Sequence, residues 1–182
     1  FLNHGSFGAC PKPVFEELQG RMGAYFNSIG RLADADENNS QQVLLLAHNK
    51  SLLTYFHKAI EHRNIASVGF YIGGMKEKDL KITEGKQIVI ATYAMASEGL
   101  DIKTLTTLIL ATPRTDVEQA VGRILRKREV KALVIDILDQ HSIFQRQWLK
   151  RRAFYNRSKY KLMFTDNYEK NEWYSFEKRK RK

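Results

Sequence analysis

The chain has one cysteine, Cys10, in 182 residues. A disulfide within the chain is therefore excluded, and so is a zinc site built on thiolates; no metal site is expected. There is no apolar run of about 18 residues, the length a membrane-crossing helix needs. No stretch satisfies the phosphate-cradling pattern Gly-x-x-x-x-Gly-Lys-Ser/Thr, because "EGKQ" at 84–87 lacks both the spacing and the hydroxyl. The first residue is Phe1 instead of methionine, so a longer parent protein is expected. The scarcity of cysteine fits a reducing compartment, cytoplasmic or nuclear.

Acidic residues are scarce at one end. The formal net charge is +10, and from Arg146 to Lys182 13 Lys or Arg stand against 4 Asp or Glu. Such a block suits contact with a polyanion; nucleic acid, DNA or RNA, is the expected partner and a membrane is not. The alternative is a solvated basic tail.

Residues 1–40 are rich in breakers (Gly5, Gly8, Pro11, Pro13, Gly20, Gly23, Gly30) and close on the polar linker "ADADENNSQQ". A regular alternation follows. "QVLLLAH", "SVGFYIG", "QIVIATY", "LTTLILAT" and "ALVIDIL" read as five strands, most of them apolar throughout, as expected where both faces are covered. "KSLLTYFHKAIEHR" has its apolar residues at helical spacing. Strands alternating with helices predict an α/β fold, a parallel sheet with helices on both faces. Ligands of such sheets bind beyond the carboxyl ends of the strands.

"TDVEQAVGRILRKRE", residues 115–129, predicts a helix beginning with a capping box, Thr115-x-x-Glu118. At 100° per residue, Val117, Ala120, Val121, Ile124 and Leu125 share the core side. Gln119, Gly122, Arg123 and Arg126 share the opposite side. Glycine inside a helix costs about 1 kcal/mol relative to alanine; close approach of another backbone or a phosphate would compensate. The preceding "ATYAMASEGLDIKTL" places Thr92 at a strand's carboxyl end, where a hydroxyl and amides can hold a phosphodiester oxygen. Glu98-Gly99-Leu100-Asp101 adds a tight turn with two carboxylates, suited to ribose hydroxyls or a basic residue across a cleft.

"ATYAMASEGLDI", "TLILATP" and "QAVGRILRKRE", in that order and spacing, resemble motifs V and VI of superfamily 2 helicases. "VLLLAHNKSLL" resembles motif IV, and "YIGGMKEKDL" the glycine-containing loop after it. The resemblance covers roughly 40–160 and is closest to repair and recombination helicases of phages and large DNA viruses, whose motif VI also opens with Gln. It implies a RecA-like fold, specifically the second of two lobes, with ATP and magnesium held mainly by a first RecA-like lobe outside this chain. It also implies that Arg123 and Arg126 match arginine fingers and that Gln119 lies near the γ-phosphate. Glu98, Gly99, Asp101 and Gly122 fall on the nucleotide side, and Thr92, Gly73 and Gly74 where strand phosphates are gripped. The expected organisation is an irregular segment over 1–40, the helicase lobe over 41–160 and a basic tail over 161–182. A stand-alone nucleic-acid-binding module without ATPase activity is the alternative.

The two ends differ from this pattern. "FLNHGSFGACPKPV" resembles the opening of class V pyridoxal-phosphate aminotransferases, but the cofactor lysine that family needs far downstream is absent. "DQHSIFQRQWLKRRAFYNRSKYKLMF" predicts a helix after the fifth strand. Ile143, Phe144, Trp148 and Tyr155 are expected to pack on the sheet. Arg146, Lys150, Arg151 and Arg157 are expected outward, with Lys150 and Arg151 on nucleic acid.

Overall fold

The computed structural model describes residues 42–98, 100–124, 132–138, 142–164 and 174–175. The aminotransferase-like opening, Gly99 and Arg126 lie outside these residues, as do the side chains of Glu98, Arg123 and Ile124.

Strands and helices alternate as the apolar runs predict. The elements are β1 (Gln42–Ala47), α1 (Lys50–His62), β2 (Val68–Tyr71), α2 (Glu77–Glu84), β3 (Ile88–Thr92), α3 (Tyr93–Glu98), β4 (Leu105–Leu110), α4 (Glu118–Ile124), β5 (Leu133–Asp136) and α5 (Ser142–Arg157). The five strands form one parallel sheet in the order β2-β3-β1-β4-β5. Central β1 is buried at every position, whereas edge strand β5 has Leu133 exposed and the rest half-buried. That difference follows from position: a strand covered on both faces has no polar side to present. Beyond α5, β6 (Met163–Phe164) pairs antiparallel with β7 (Tyr174–Ser175).

Successive strand residues point to opposite faces, and each face has its own core. Val43, Leu45, Ile88, Ile90 and Ile109 meet Leu53, Phe56 and Ile60 of α1. Leu44, Leu46, Val89, Leu108 and Leu110 meet Val117, Ala120, Val121 and Tyr155. Helices therefore cover both faces, as expected. Asn49 starts α1, its Oδ1 accepting from the Leu52 amide at 2.8 Å. At the amino ends of the strands, Gln42 Nε2 donates to the carbonyls of Glu84 (2.7 Å) and Lys86 (2.8 Å), and Thr104 Oγ1 donates to Gln42 Oε1 at 2.5 Å.

The structure corrects three expectations. The capping box does not form: Thr115 is exposed, and the Glu118 amide donates instead to Asp116 Oδ1 at 3.1 Å. The Glu118 carboxylate pairs with Arg157, not with the backbone at Thr115. Ile143 is 54% exposed and does not join the core, whereas Trp148 and Tyr155 do. Arg151, expected outward, is 2% exposed. The other four basic residues of α5, Arg146, Lys150, Arg152 and Arg157, give no hint of this, because only the facing strand supplies the carboxylate that draws it in.

Candidate functional site at the sheet rim

The strand register puts the carboxyl ends level. Ala47 pairs with Thr92, Leu46 with Leu110, and Leu110 with Asp136. The residues immediately beyond these positions therefore form one rim. Gly73 and Gly74 follow β2; Thr92 and Tyr93 end β3 and start α3; His48 follows β1; Thr112, Pro113 and Arg114 lead from β4 toward α4.

The centre of the rim is a hydrogen-bonded cluster that sequence reasoning missed. Thr112 Oγ1 accepts from the His48 amide at 3.1 Å and lies 2.8 Å from His48 Nδ1. The hydroxyl donates to Nδ1 in one tautomer of His48 and accepts from it in the other. Tyr93 Oη donates to the Thr112 carbonyl at 2.7 Å. The His48 ring lies 4.8 Å from the Tyr93 ring, and the Arg114 guanidinium lies 4.9 Å from the same ring's centroid. Burial, and then the Arg114 charge, hold the His48 imidazole below its ordinary pKa. Burial chiefly pushes the Tyr93 hydroxyl well above the ordinary tyrosine range.

Beneath this cluster lies the destination of Arg151. Its Nε and Nη2 donate to Asp136 Oδ2 (2.7 Å) and Oδ1 (3.0 Å), and its Nη1 donates to the Arg114 carbonyl at 2.5 Å. Tyr155 Oη donates to Asp136 Oδ2 at 2.9 Å. Burial raises the Asp136 carboxyl pKa, opposed by the hydrogen bonds and charge of Arg151 and by the Tyr155 hydroxyl. One buried guanidinium thus joins the end of β5, α5 and the approach to α4. Arg151 is withdrawn as a nucleic-acid contact. A sequence signal existed: "ALVIDIL" carries a carboxylate inside an apolar strand, and a buried charge requires a partner.

The positions named from sequence fall in three groups. On α4, Gln119 and Gly122 are both exposed while Val117, Ala120 and Val121 are buried, so the polar face is where periodicity placed it. A Cβ built on Gly122 would meet nothing within 4 Å. No close packing within the described residues therefore explains this glycine. Across the rim, Thr92 is half-buried, its Oγ1 accepting from the Met95 amide at 3.4 Å, and a Cβ on Gly73 would lie 3.8 Å from Met95 Sδ. The glycine loop and the Thr92 turn are thus neighbours. Gly74 has φ +89°, a left-handed conformation that favours glycine. Asp101 and Lys150 are exposed, Lys150 on α5. Among the described residues no group of three or more His, Cys, Asp or Glu could hold a metal, and no helix is long and apolar enough to cross a membrane.

Solved structures of low sequence identity share this fold. The C-terminal part of the Fun30 ATPase domain superposes with a TM-score of 0.61 at 12% identity, covering 72% of this chain and 44% of that one. The C-terminal domain of the DEAD-box protein Dbp5 gives 0.53 at 15% identity, covering 73% and 77%. The fold is that of a helicase C-terminal lobe. No protein-family model matches the chain. Among sequences, "Putative ATP-dependent RNA helicase L396" of Acanthamoeba polyphaga mimivirus is 48% identical over 99 residues, 53% of this chain and 19% of that protein. "Putative ATP-dependent RNA helicase QP509L" of African swine fever virus (isolate Tick/South Africa/Pretoriuskop Pr4/1996) is 28% identical over 131 residues, 66% of this chain and 25% of that protein. The chain thus spans a fifth to a quarter of these relatives. These two relatives are proteins of large DNA viruses with RNA-helicase names, and neither name bears on the repair and recombination subtype.

Proposed function

We propose that this chain is the second lobe of an ATP-dependent nucleic-acid helicase or translocase, completing a nucleotide site whose other wall is a first RecA-like lobe. The observation that carries the proposal is the division of α4: one face sealed into the core, the other open at Gln119 and Gly122. Arg123 follows Gln119 by four residues in the sequence, and Arg126 by seven. In this role their guanidinium groups donate in-plane hydrogen bonds to phosphate oxygens and offset charge as the γ-phosphoryl leaves. Gln119 acts at the γ-phosphate side. Gly122 keeps the helix surface bare where the triphosphate approaches, and Glu98, Gly99 and Asp101 serve the ribose side and couple it to the strand track. Magnesium accompanying ATP would neutralise phosphate charge. This chain supplies cations and amides to that pocket, with the metal held from the other lobe.

Thr92 with Gly73 and Gly74 holds strand phosphates at the rim, and Lys150 adds a contact from α5. Backbone contacts of this kind do not read bases, so RNA and DNA are both candidate tracks, and the names of the viral relatives favour RNA. Arg123→Ala or Arg126→Ala, in the protein supplied with its first lobe, is expected to lower ATP turnover by about 10³ to 10⁵. Turnover within a few-fold of wild type rules out the finger role. The basic excess from Arg146 to Lys182 favours a second reading, a nucleic-acid-binding module without ATPase activity. Steep salt-dependent binding of nucleic acid by the 182-residue chain, with no ATP turnover, supports it.

A further inference from the structure

The β4–α4 connection presents a cation, the Arg114 guanidinium. Among the described residues no carboxylate pairs with the Arg114 guanidinium: Asp136 is taken by Arg151, Glu118 by Arg157, and Asp116 by the Glu118 amide. Its backbone, by contrast, is fixed, since the Arg114 carbonyl accepts from the buried Arg151 Nη1 at 2.5 Å. The guanidinium rests 4.9 Å from the centroid of the Tyr93 ring, and that ring is itself tied by its hydroxyl to the Thr112 carbonyl. An aromatic face offsets part of the cost of covering a cation. It leaves the planar fork of N–H donors to another acceptor. Beside it is His48, whose Nδ1 lies 2.8 Å from the Thr112 hydroxyl. The Arg114 fork is thus presented at this point of the rim, and no carboxylate among the described residues answers it.

We propose that Arg114 is a phosphodiester-binding residue, its fork presented on Tyr93 at the ends of β1 and β3 to grip a backbone phosphate of a bound polynucleotide. Arg151 is the positioning residue beneath it. The proposal rests on the nucleic-acid contact argued above and adds a site outside α4 and the Thr92 turn. A strand phosphate fits better than the nucleotide, because Arg114 shares Tyr93 with the β3–α3 junction where Thr92 stands, and it precedes the exposed face of α4.

The test is equilibrium binding of a labelled oligodeoxythymidylate and a labelled oligouridylate to the 182-residue chain across a salt series. Arg114→Ala is expected to weaken binding about tenfold and to lower the slope of log affinity against log salt by about 1. Arg114→Lys keeps the slope, since the charge remains. Arg114→Gln gives the loss seen with alanine and serves if the alanine variant does not fold. A slope unchanged in both neutral variants overturns the assignment. So does a loss of ATP affinity in the two-lobe protein with polynucleotide binding intact. A wild-type chain that binds neither oligonucleotide overturns instead the nucleic-acid contact on which the assignment rests.

Discussion

Arg151 and Asp136 form a fork-to-fork pair inside the protein, two hydrogen bonds of 2.7 and 3.0 Å between a guanidinium with a 1% exposed side chain and the last residue of β5. Removing one partner of such a pair leaves a buried charge without compensation, typically at a cost of about 3 to 5 kcal/mol. Arg151→Met is therefore expected to lose that much in urea denaturation. Arg151→Met combined with Asp136→Leu is expected to recover much of it. A single variant within about 1 kcal/mol of wild type contradicts the buried geometry.

Gly122 separates stability from activity. The site is open around it, so Gly122→Ala is expected to stabilise the lobe by up to about 1 kcal/mol through helix propensity. On the proposed nucleotide role of this face, the same methyl group would stand where the triphosphate approaches, and ATP turnover in the two-lobe protein is expected to fall. Raised stability with unchanged turnover would remove the nucleotide from this face of α4.

Gly69 is constrained by contact, not by dihedral. A Cβ there would lie 2.9 Å from Thr83 Oγ1 and 3.0 Å from Thr83 Cγ2. Gly69→Ala is expected to destabilise by about 1 to 3 kcal/mol, as overpacking does. Combining it with Thr83→Ala should restore part of the loss, and strictly additive effects would show that the two residues do not touch.

Capping of α4 can be checked with neighbouring residues. Asp116→Ala removes the acceptor of the Glu118 amide and is expected to cost about 0.5 to 2 kcal/mol. Thr115→Ala should change little. The reverse order in thermal denaturation would restore the capping box.

His48 makes stability depend on pH. Its folded pKa is lowered, first by burial and then by Arg114, so the unfolded chain binds the proton more tightly. Its contribution is fully present above the unfolded value of 6.5 and is lost as pH falls from there through the folded value. His48→Gln is expected to flatten the decline of the unfolding midpoint between about pH 7 and 5. Parallel curves for variant and wild type would show that His48 is not the sensor.

The sheet was legible because it follows from periodicity alone. Runs such as "VLLLA" and "IVIA" are apolar throughout, and only a strand covered on both faces can bury them. The polar face of α4 was legible for the same reason, its buried residues falling at i, i+3 and i+4. Tertiary partners were not legible. Arg151 and Arg152 stand side by side in a basic helix, and which of them turns inward depends on where Asp136 ends its strand. Thr115 and Asp116 can both accept from a helix amide, and the path of the chain after Pro113 selects the second. The His48–Thr112–Tyr93 cluster joins three separate strand ends, a proximity that no local pattern encodes.

The bracing of α4 by α5 bears on how the gene can be shortened for laboratory work. Arg157 meets Glu118, and the Tyr160 amide bonds to the Tyr155 carbonyl at 3.0 Å while its ring leans on Phe154. A truncation placed at the last large-sheet strand would discard these ties and leave α4 unsupported. An expression boundary should fall beyond Leu162, which packs against the same core.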